Sequence, residues 1–466
     1  MIEFKALAIR RWLMLWVCVL VACGSARAGA TTTNILVWHR DTDTMDADVD
    51  NWTVLTLMEK IAGATGWHVF LDPDARHPVS AKFRNRPFGE ALRSLLGDLN
   101  FALVPQTTGP SQLYVFRISR SQATQFIRPH LKGPDTSKPI PNQLIVRLKP
   151  GSKTKIEDLA KLLGARVIGR IDKLGVYQLE FDSADAAQAA LPQLAANPDV
   201  QSVEYNYPTA PVPTLDIPGA ASTPDLKLDP KANNGPCQLV IGLIDTPVQV
   251  SPTMAPFVQG VIHDAGDYQV NPTQPTHGTA MMETAAQALA KATGGTTSTK
   301  FLLVDVYGTN ETTSTFDVAE GITDAINNGA TSISASLGST GNSQILQDVV
   351  SQAVQLGIPI FAAAGNEPVT TPTYPAAYPG VIAVTASDAS GQIAPYANRG
   401  SFVSMIAPGD NIIPFDGQSY LVEGTSTSTA TVAGLGAGLA DSAGDCASQE
   451  QALLKQRLQS VNTIQH

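Results

Sequence analysis

Gln238-Leu-Val-Ile-Gly-Leu-Ile-Asp245 is a continuous apolar run that stops at a carboxylate. A strand buried on both faces of a parallel sheet reads this way. The carboxyl ends of such strands are where α/β sheets carry functional groups, so Asp245 falls at the informative end. Further apolar runs follow at Phe301–Val306, Ser332–Gly338, Ile358–Ala364 and Val381–Thr385. Helix-compatible stretches at Ala280–Lys291 and Gly321–Ala330 separate some of them. Strands alternating with helices predict a parallel α/β sheet with right-handed crossovers and helices on both faces.

Three short motifs punctuate this pattern. His277-Gly-Thr279 opens the first helix, Gly365-Asn366 follows the fourth strand, and Glu423-Gly-Thr-Ser426 leads into a run of small residues ending at Ala440. Each has an ordinary reading alone: Asp245 a turn residue, His277 a structural histidine, Thr425 or Ser426 a helix cap. Together they make a chemistry. A neutral serine is a weak nucleophile and needs a base within hydrogen-bond reach. Histidine can take that proton and return it to a leaving amine. A buried carboxylate fixes the imidazole tautomer and stabilises the imidazolium. A serine at a helix N-terminus sits where backbone N–H groups and the dipole favour negative charge.

With these residues in the order Asp, His, Ser, the region 236–466 resembles the catalytic domain of subtilisin-like serine proteases. Tyr378-Pro-Gly-Val-Ile-Ala-Val384 and Ser401-Phe-Val-Ser-Met-Ile-Ala-Pro-Gly409 extend the resemblance. It implies Asp245, His277 and Ser426 as the catalytic triad and Asn366 as an oxyanion-hole donor. It also implies Ser336, Leu337 and Gly338 as the backbone segment that pairs with extended substrate. The implied activity is hydrolysis of peptide bonds in polypeptide substrates. The pattern departs from the family at three places: Pro247 stands for the usual glycine, Glu283 lies in the histidine helix, and Ala430 stands where the family has proline. A protease-like scaffold or binding protein of low activity is therefore the alternative.

Residues 142–206 read strand, helix, strand, strand, helix, strand, with Ser183 as N-cap and Pro192 disturbing the second helix. Pro141-Asn-Gln-Leu-Ile-Val146, Leu174-Gly-Val-Tyr177 and Asn197-Pro-Asp-Val-Gln-Ser-Val-Glu-Tyr205 resemble the propeptide of subtilases. That resemblance implies a zymogen. Residues 207–235 are rich in Pro, Ala and Thr, without periodicity, and read as an exposed linker open to nicking.

Residues 33–120 read as another small α+β domain. Val54, Leu57, Met58 and Ile61 share one helix face, and Phe88, Ala91, Leu92, Leu95 and Leu96 another. Leu71-Asp-Pro73, Asn85-Arg-Pro-Phe-Gly-Glu-Ala-Leu92 and Leu113-Tyr-Val115 resemble the short N-terminal domain of secretins and TonB-dependent receptors. This implies an envelope protein partner. Residues 121–141, with four prolines, read as a linker.

The first 30 residues have the form of an export signal: Lys5, Arg10 and Arg11, an apolar core from Trp12 to Ala22, and small residues at Ala26 and Ala28. Leu20-Val-Ala-Cys23 also resembles a lipobox, so a lipid anchor at Cys23 competes with ordinary cleavage. Either route makes the protein exported, with periplasmic, outer-membrane or secreted destinations open. The net charge of −10 argues against nucleic acid as a partner. Hydrophobic residues at 43% support buried cores in place of disorder. No cofactor or metal is implied: no Cys/His cluster has zinc spacing. The short loop Thr293–Thr299 gives no basis for transferring the family's calcium ligands. Cys237 and Cys446 allow one bridge, and free buried thiols are the other reading.

Overall fold

The computed structural model describes residues 35–105, 111–123, 125–127, 135–211, 217–218, 226–266 and 271–462. The expected export signal, with both cleavage sites read for it and Cys23, lies outside the described residues. The chain divides into two compact units between His130 and Leu131.

The first unit holds two sheets and two helices. Ile35–His39, Thr44–Thr53 and Pro78–Pro87 form an antiparallel sheet. The second sheet runs Asn100–Val104, Gln112–Phe116, His68–Leu71, Gln125–Ile127. Helices Val54–Thr65 and Phe88–Leu96 bury the two faces that their periodicity marked. Gln125–Ile127 falls in the stretch expected to be linker, yet it pairs antiparallel with His68–Leu71. A three-residue strand is too short to show alternation, so composition concealed it.

The second unit begins with a four-stranded antiparallel sheet ordered Val200–Tyr205, Gln143–Leu148, Val176–Phe181, Ala165–Ile171. Helices Ile156–Leu162 and Ala184–Ala195 close its core, with Leu144, Val146, Leu179 and Leu194 buried. Ser183 caps the second helix by accepting from Ala186 N. That helix runs through Pro192 to Ala195, held at its last turn by the buried Leu194.

Next comes a seven-stranded parallel sheet. Its order is Val258–His263, Lys300–Asp305, Val240–Asp245, Ser332–Ala335, Ile360–Ala363, Ile382–Ser387, Met405–Pro408. The opening run is thus an interior strand, buried throughout. Strand order reverses beside it, which opens a crevice at its carboxyl end. One face is covered by helices Thr315–Asn327 and Gln344–Gln355, burying Phe316, Ile322 and Val349. The other carries the histidine helix, His277–Thr293, and the serine helix, Thr425–Ala443. Small residues on the serine helix, among them Ala430, Ala433 and Ala437, let it pack closely against the histidine helix. Cys237 and Cys446 form a disulfide that ties the start of this region to the segment before its last helix, Glu450–Asn462.

The expected exposed linker 207–235 is partly structured. Pro208–Pro211, which we call the strap, pairs antiparallel with Thr313–Ser314 on one side and Leu337–Gly338 on the other. Ile217–Pro218 pairs with the Gln418–Glu423 strand, and Asp229–Pro230 with Thr296–Thr297. Thr209 and Ala210 are buried. Proline cannot donate to a ladder and marks these segments as loop-like from sequence. Short strands placed by their partners' edges tolerate it.

Candidate active site

The site is assembled where the Val240–Asp245 strand, the histidine helix and the serine helix converge. Asp245 is buried at its strand end, and its Oδ1 accepts from Thr246 N at 2.7 Å. The same oxygen lies 2.6 Å from Nδ1 of His277. With the proton on Nδ1, Nε2 becomes the accepting nitrogen of the ring. His277 is the first residue of its helix, and Thr276 is the N-cap, accepting from Thr279 N.

The loop after Asp245 is latched onto that helix start. Gly278 N donates to Thr246 Oγ1 at 2.8 Å. Gln249 Oε1 accepts from Thr276 N at 2.8 Å and from Thr279 Oγ1 at 3.1 Å. Thr276 Oγ1 donates to the Pro247 carbonyl. Pro247 thus contributes its acceptor, and the N–H that proline lacks has no place in this network. A Cβ on Gly278 would come within 2.2 Å of the Thr246 carbonyl oxygen, so the approach requires glycine.

Ser426 is the second residue of its helix and is buried. The N-cap is Gly424, at φ 153° and ψ 171°, a conformation open essentially to glycine alone. No side chain caps this helix, so the reading of Thr425 or Ser426 as a cap is not met. Ser426 Oγ donates to the Ser336 carbonyl at 3.2 Å, and Ser336 Oγ returns a bond of 3.2 Å to the Ser426 carbonyl. The nucleophile candidate is thereby tied to the expected substrate-pairing segment.

Asn366 meets the same helix end. Its Oδ1 accepts from Thr425 N at 2.9 Å, while Thr425 Oγ1 accepts from Gly365 N at 3.1 Å. With the oxygen so held, the Nδ2 group remains as the donor of that amide. Asn398, buried, braces the turn: its Nδ2 donates to the Ala364 carbonyl and its Oδ1 accepts from Glu367 N. Thr246, Gln249 and Asn398 escaped sequence reasoning. They orient other groups through backbone contacts, and no spacing or periodicity marks such a role.

Glu283 and Ala430 are both buried, and Ala430 lies one helical turn beyond Ser426. Glu283 is buried in the histidine helix with Ser251 Oγ at 3.4 Å, and burial pushes its pKa up to about 7. Ala430 is fully buried. Two hydroxyls before it find backbone carbonyls: Ser428 Oγ lies 3.0 Å from those of Ala407 and Pro408, and Thr429 Oγ1 donates to Thr425 O at 2.7 Å. Among the described residues, no group of three or more His, Cys, Asp or Glu side chains is arranged to hold a metal ion.

Residues 238–463 match the subtilase family, and residues 128–206 match the fervidolysin N-terminal prodomain. The chain is 34% identical over 231 residues to thermitase of Thermoactinomyces vulgaris, covering 48% of this chain and 81% of thermitase. It is 34% identical over 209 residues to a thermophilic serine proteinase of Bacillus sp. (strain AK1), covering 43% of this chain and 51% of the relative. Among solved structures it is similar to fervidolysin from Fervidobacterium pennivorans, a keratinolytic enzyme related to subtilisin. That match has 19% identity and a TM-score of 0.49, and covers 66% of this chain and 55% of fervidolysin.

Proposed function

Because the chain belongs to the subtilase family and is a serine-type peptidase acting on polypeptides, we propose that it is an exported endopeptidase made as a zymogen. Asp245, His277 and Ser426 are its triad and Asn366 its oxyanion donor. The observation that carries this reading is the 2.6 Å contact between Asp245 Oδ1 and His277 Nδ1. It fixes the tautomer that a general base requires.

In this mechanism Ser426 Oγ attacks the scissile carbonyl as its proton passes to Nε2 of His277. The oxyanion is met by the Asn366 amide and by backbone N–H at the start of the serine helix. Preorganised donors of this kind are worth roughly 10²–10³ in kcat each. Collapse of the tetrahedral species breaks the C–N bond, and His277 gives its proton to the departing amine. Water then repeats the sequence on the acyl ester. Ser336, Leu337 and Gly338 hold extended substrate by strand addition, a contact that reads backbone more than side chains.

The occupied edge supports the zymogen reading. Residues 142–206 form the prodomain, and its continuation, the strap, takes up Leu337–Gly338 as a substrate strand would. Glu204 braces the prodomain by accepting from Ser343 Oγ at 2.6 Å and Gln344 N at 3.1 Å, at the start of the Gln344–Gln355 helix. Arg147 pairs with Asp348 on that helix. Cleavage within 207–235 would release the edge.

Residues 33–120 are the candidate interaction domain toward an envelope partner, and export rests on the first 30 residues. No helix among the described residues is long and apolar enough to cross a membrane.

The test pairs wild type with Ser426→Ala. Wild type is expected to process itself and to react with a fluorophosphonate probe. The variant is expected to stay full length, unlabelled, with kcat reduced by roughly 10⁶-fold. Two unlabelled, uncut proteins would favour the low-activity scaffold instead.

A further inference from the structure

The peptide-binding edge does not end with the strap. One residue earlier, Tyr207 is half-buried against the peptidase region by both its backbone and its ring. Its N–H donates to Thr315 Oγ1 at 3.2 Å, and its carbonyl accepts from Thr315 N at 2.9 Å. Its side chain lies close against the backbone of Gly341, which is itself buried. A Cβ built on Gly341 would fall 2.2 Å from Cγ and 2.3 Å from Cδ1 of that ring. The contact exists because position 341 has no side chain.

Asn206, just before, behaves differently. Its Oδ1 accepts from Phe316 N, but its Nδ2 donates to Gln143 in the prodomain sheet, so it straddles both parts. The contacts of Tyr207 with Thr315 and Gly341 are made to groups that stay with the peptidase region. The register is also fixed. Pro208 pairs with Ser314, Thr209 with Thr313, Ala210 with Gly338 and Pro211 with Leu337. Any extended peptide that replaces the strap on these strands carries a residue to the place of Tyr207, three positions before the one facing Gly338.

We propose that this place is a substrate subsite for an aromatic side chain, floored by Gly341 and kept in register by Thr315. The proposal rests on the reading of 336–338 as the substrate edge. It deepens that reading by naming a preferred substrate class: extended chains with Tyr or Phe at this remote position. An aromatic side chain against a bare backbone fits by shape and apolar burial.

Internally quenched peptides containing Tyr-Pro-Thr-Ala-Pro before a variable residue, and the same peptides with Ala for Tyr, test it on the enzyme matured from the full chain. The Tyr series is expected to have about tenfold higher kcat/KM, carried by KM, since the contact lies far from the reacting atoms. In Gly341→Leu the Tyr-to-Ala ratio is expected to fall below about two, whatever the variant's absolute rate. Hydrolysis of both series by wild type with equal kcat/KM would overturn the subsite and leave the peptidase reading standing. A ratio unchanged in Gly341→Leu would do the same. Absence of hydrolysis of every peptide would take down the triad reading and the subsite with it.

Discussion

A methyl group at position 278 would sit 2.2 Å from the Thr246 carbonyl oxygen, and that oxygen belongs to the residue after Asp245. Gly278→Ala must therefore push the histidine helix away from the Asp245 loop. It is expected to cost about 1–3 kcal/mol of stability and to lengthen the Asp245–His277 contact. Denaturant unfolding checks the first effect, and a fall in kcat larger than any rise in KM checks the second. The candidate triad could be named because the chemistry it would perform restricts residue type, and of its members Asp245 and His277 meet at 2.6 Å. Gln249 and Asn398 were not legible. Each places a turn by bonds to backbone groups 27 and 34 positions distant in sequence, and any small amide looks alike until the chain is folded. Pro247 illustrates the converse. Its residue type promised a disturbance, yet its position in the network uses only a carbonyl, which proline retains.

The Thr315–Asn327 helix links prodomain and peptidase through a carboxylate. Glu320 is half-buried and accepts from the backbone N–H of Arg170 in the prodomain. Burial, and after it the charges of Asp264, Asp317 and Asp324, push its pKa up to about 8; Asp264 itself is pushed up to about 7, mainly by burial. A carboxyl whose folded pKa is raised supports the fold while protonated. That contribution is complete below its ordinary value near 4.5 and is lost as pH rises through about 8. Glu320→Gln, made in the Ser426→Ala background to prevent processing, should therefore gain on its parent as pH rises. Thermal melts at pH 5 and pH 9 are expected to show a larger difference at pH 9. The sequence marked this helix only in part, as the helix-compatible stretch Gly321–Ala330, while the helix runs from Thr315 to Asn327. It did not mark the strap: its four residues gain their strand conformation from two neighbouring edges that arrive more than a hundred positions later.

Across the whole second unit, the parallel sheet was readable from runs such as Val240–Asp245, since burial on both faces demands unbroken apolar sequence. The edge strand Val258–His263, alternately exposed, carried no such signal. Chain order also gave no account of which strand neighbours which. The Cys237–Cys446 bridge was one of two readings and is formed. It closes a segment of 209 residues, nearly the entire peptidase region. Replacing both cysteines by serine is expected to remove about 2–4 kcal/mol of stability, by relaxing the constraint on the unfolded chain. Thermal melts of oxidised wild type and the double variant measure it, and dithiothreitol should bring wild type toward the variant.

The strap and the edge it occupies belong to one polypeptide, so their encounter is independent of how dilute the protein is. A covalent connection presents a ligand at an effective concentration of about millimolar. One break in the linker turns the same contact into an association between two molecules. Occupancy of the edge would then fall with dilution, which the uncut chain does not allow.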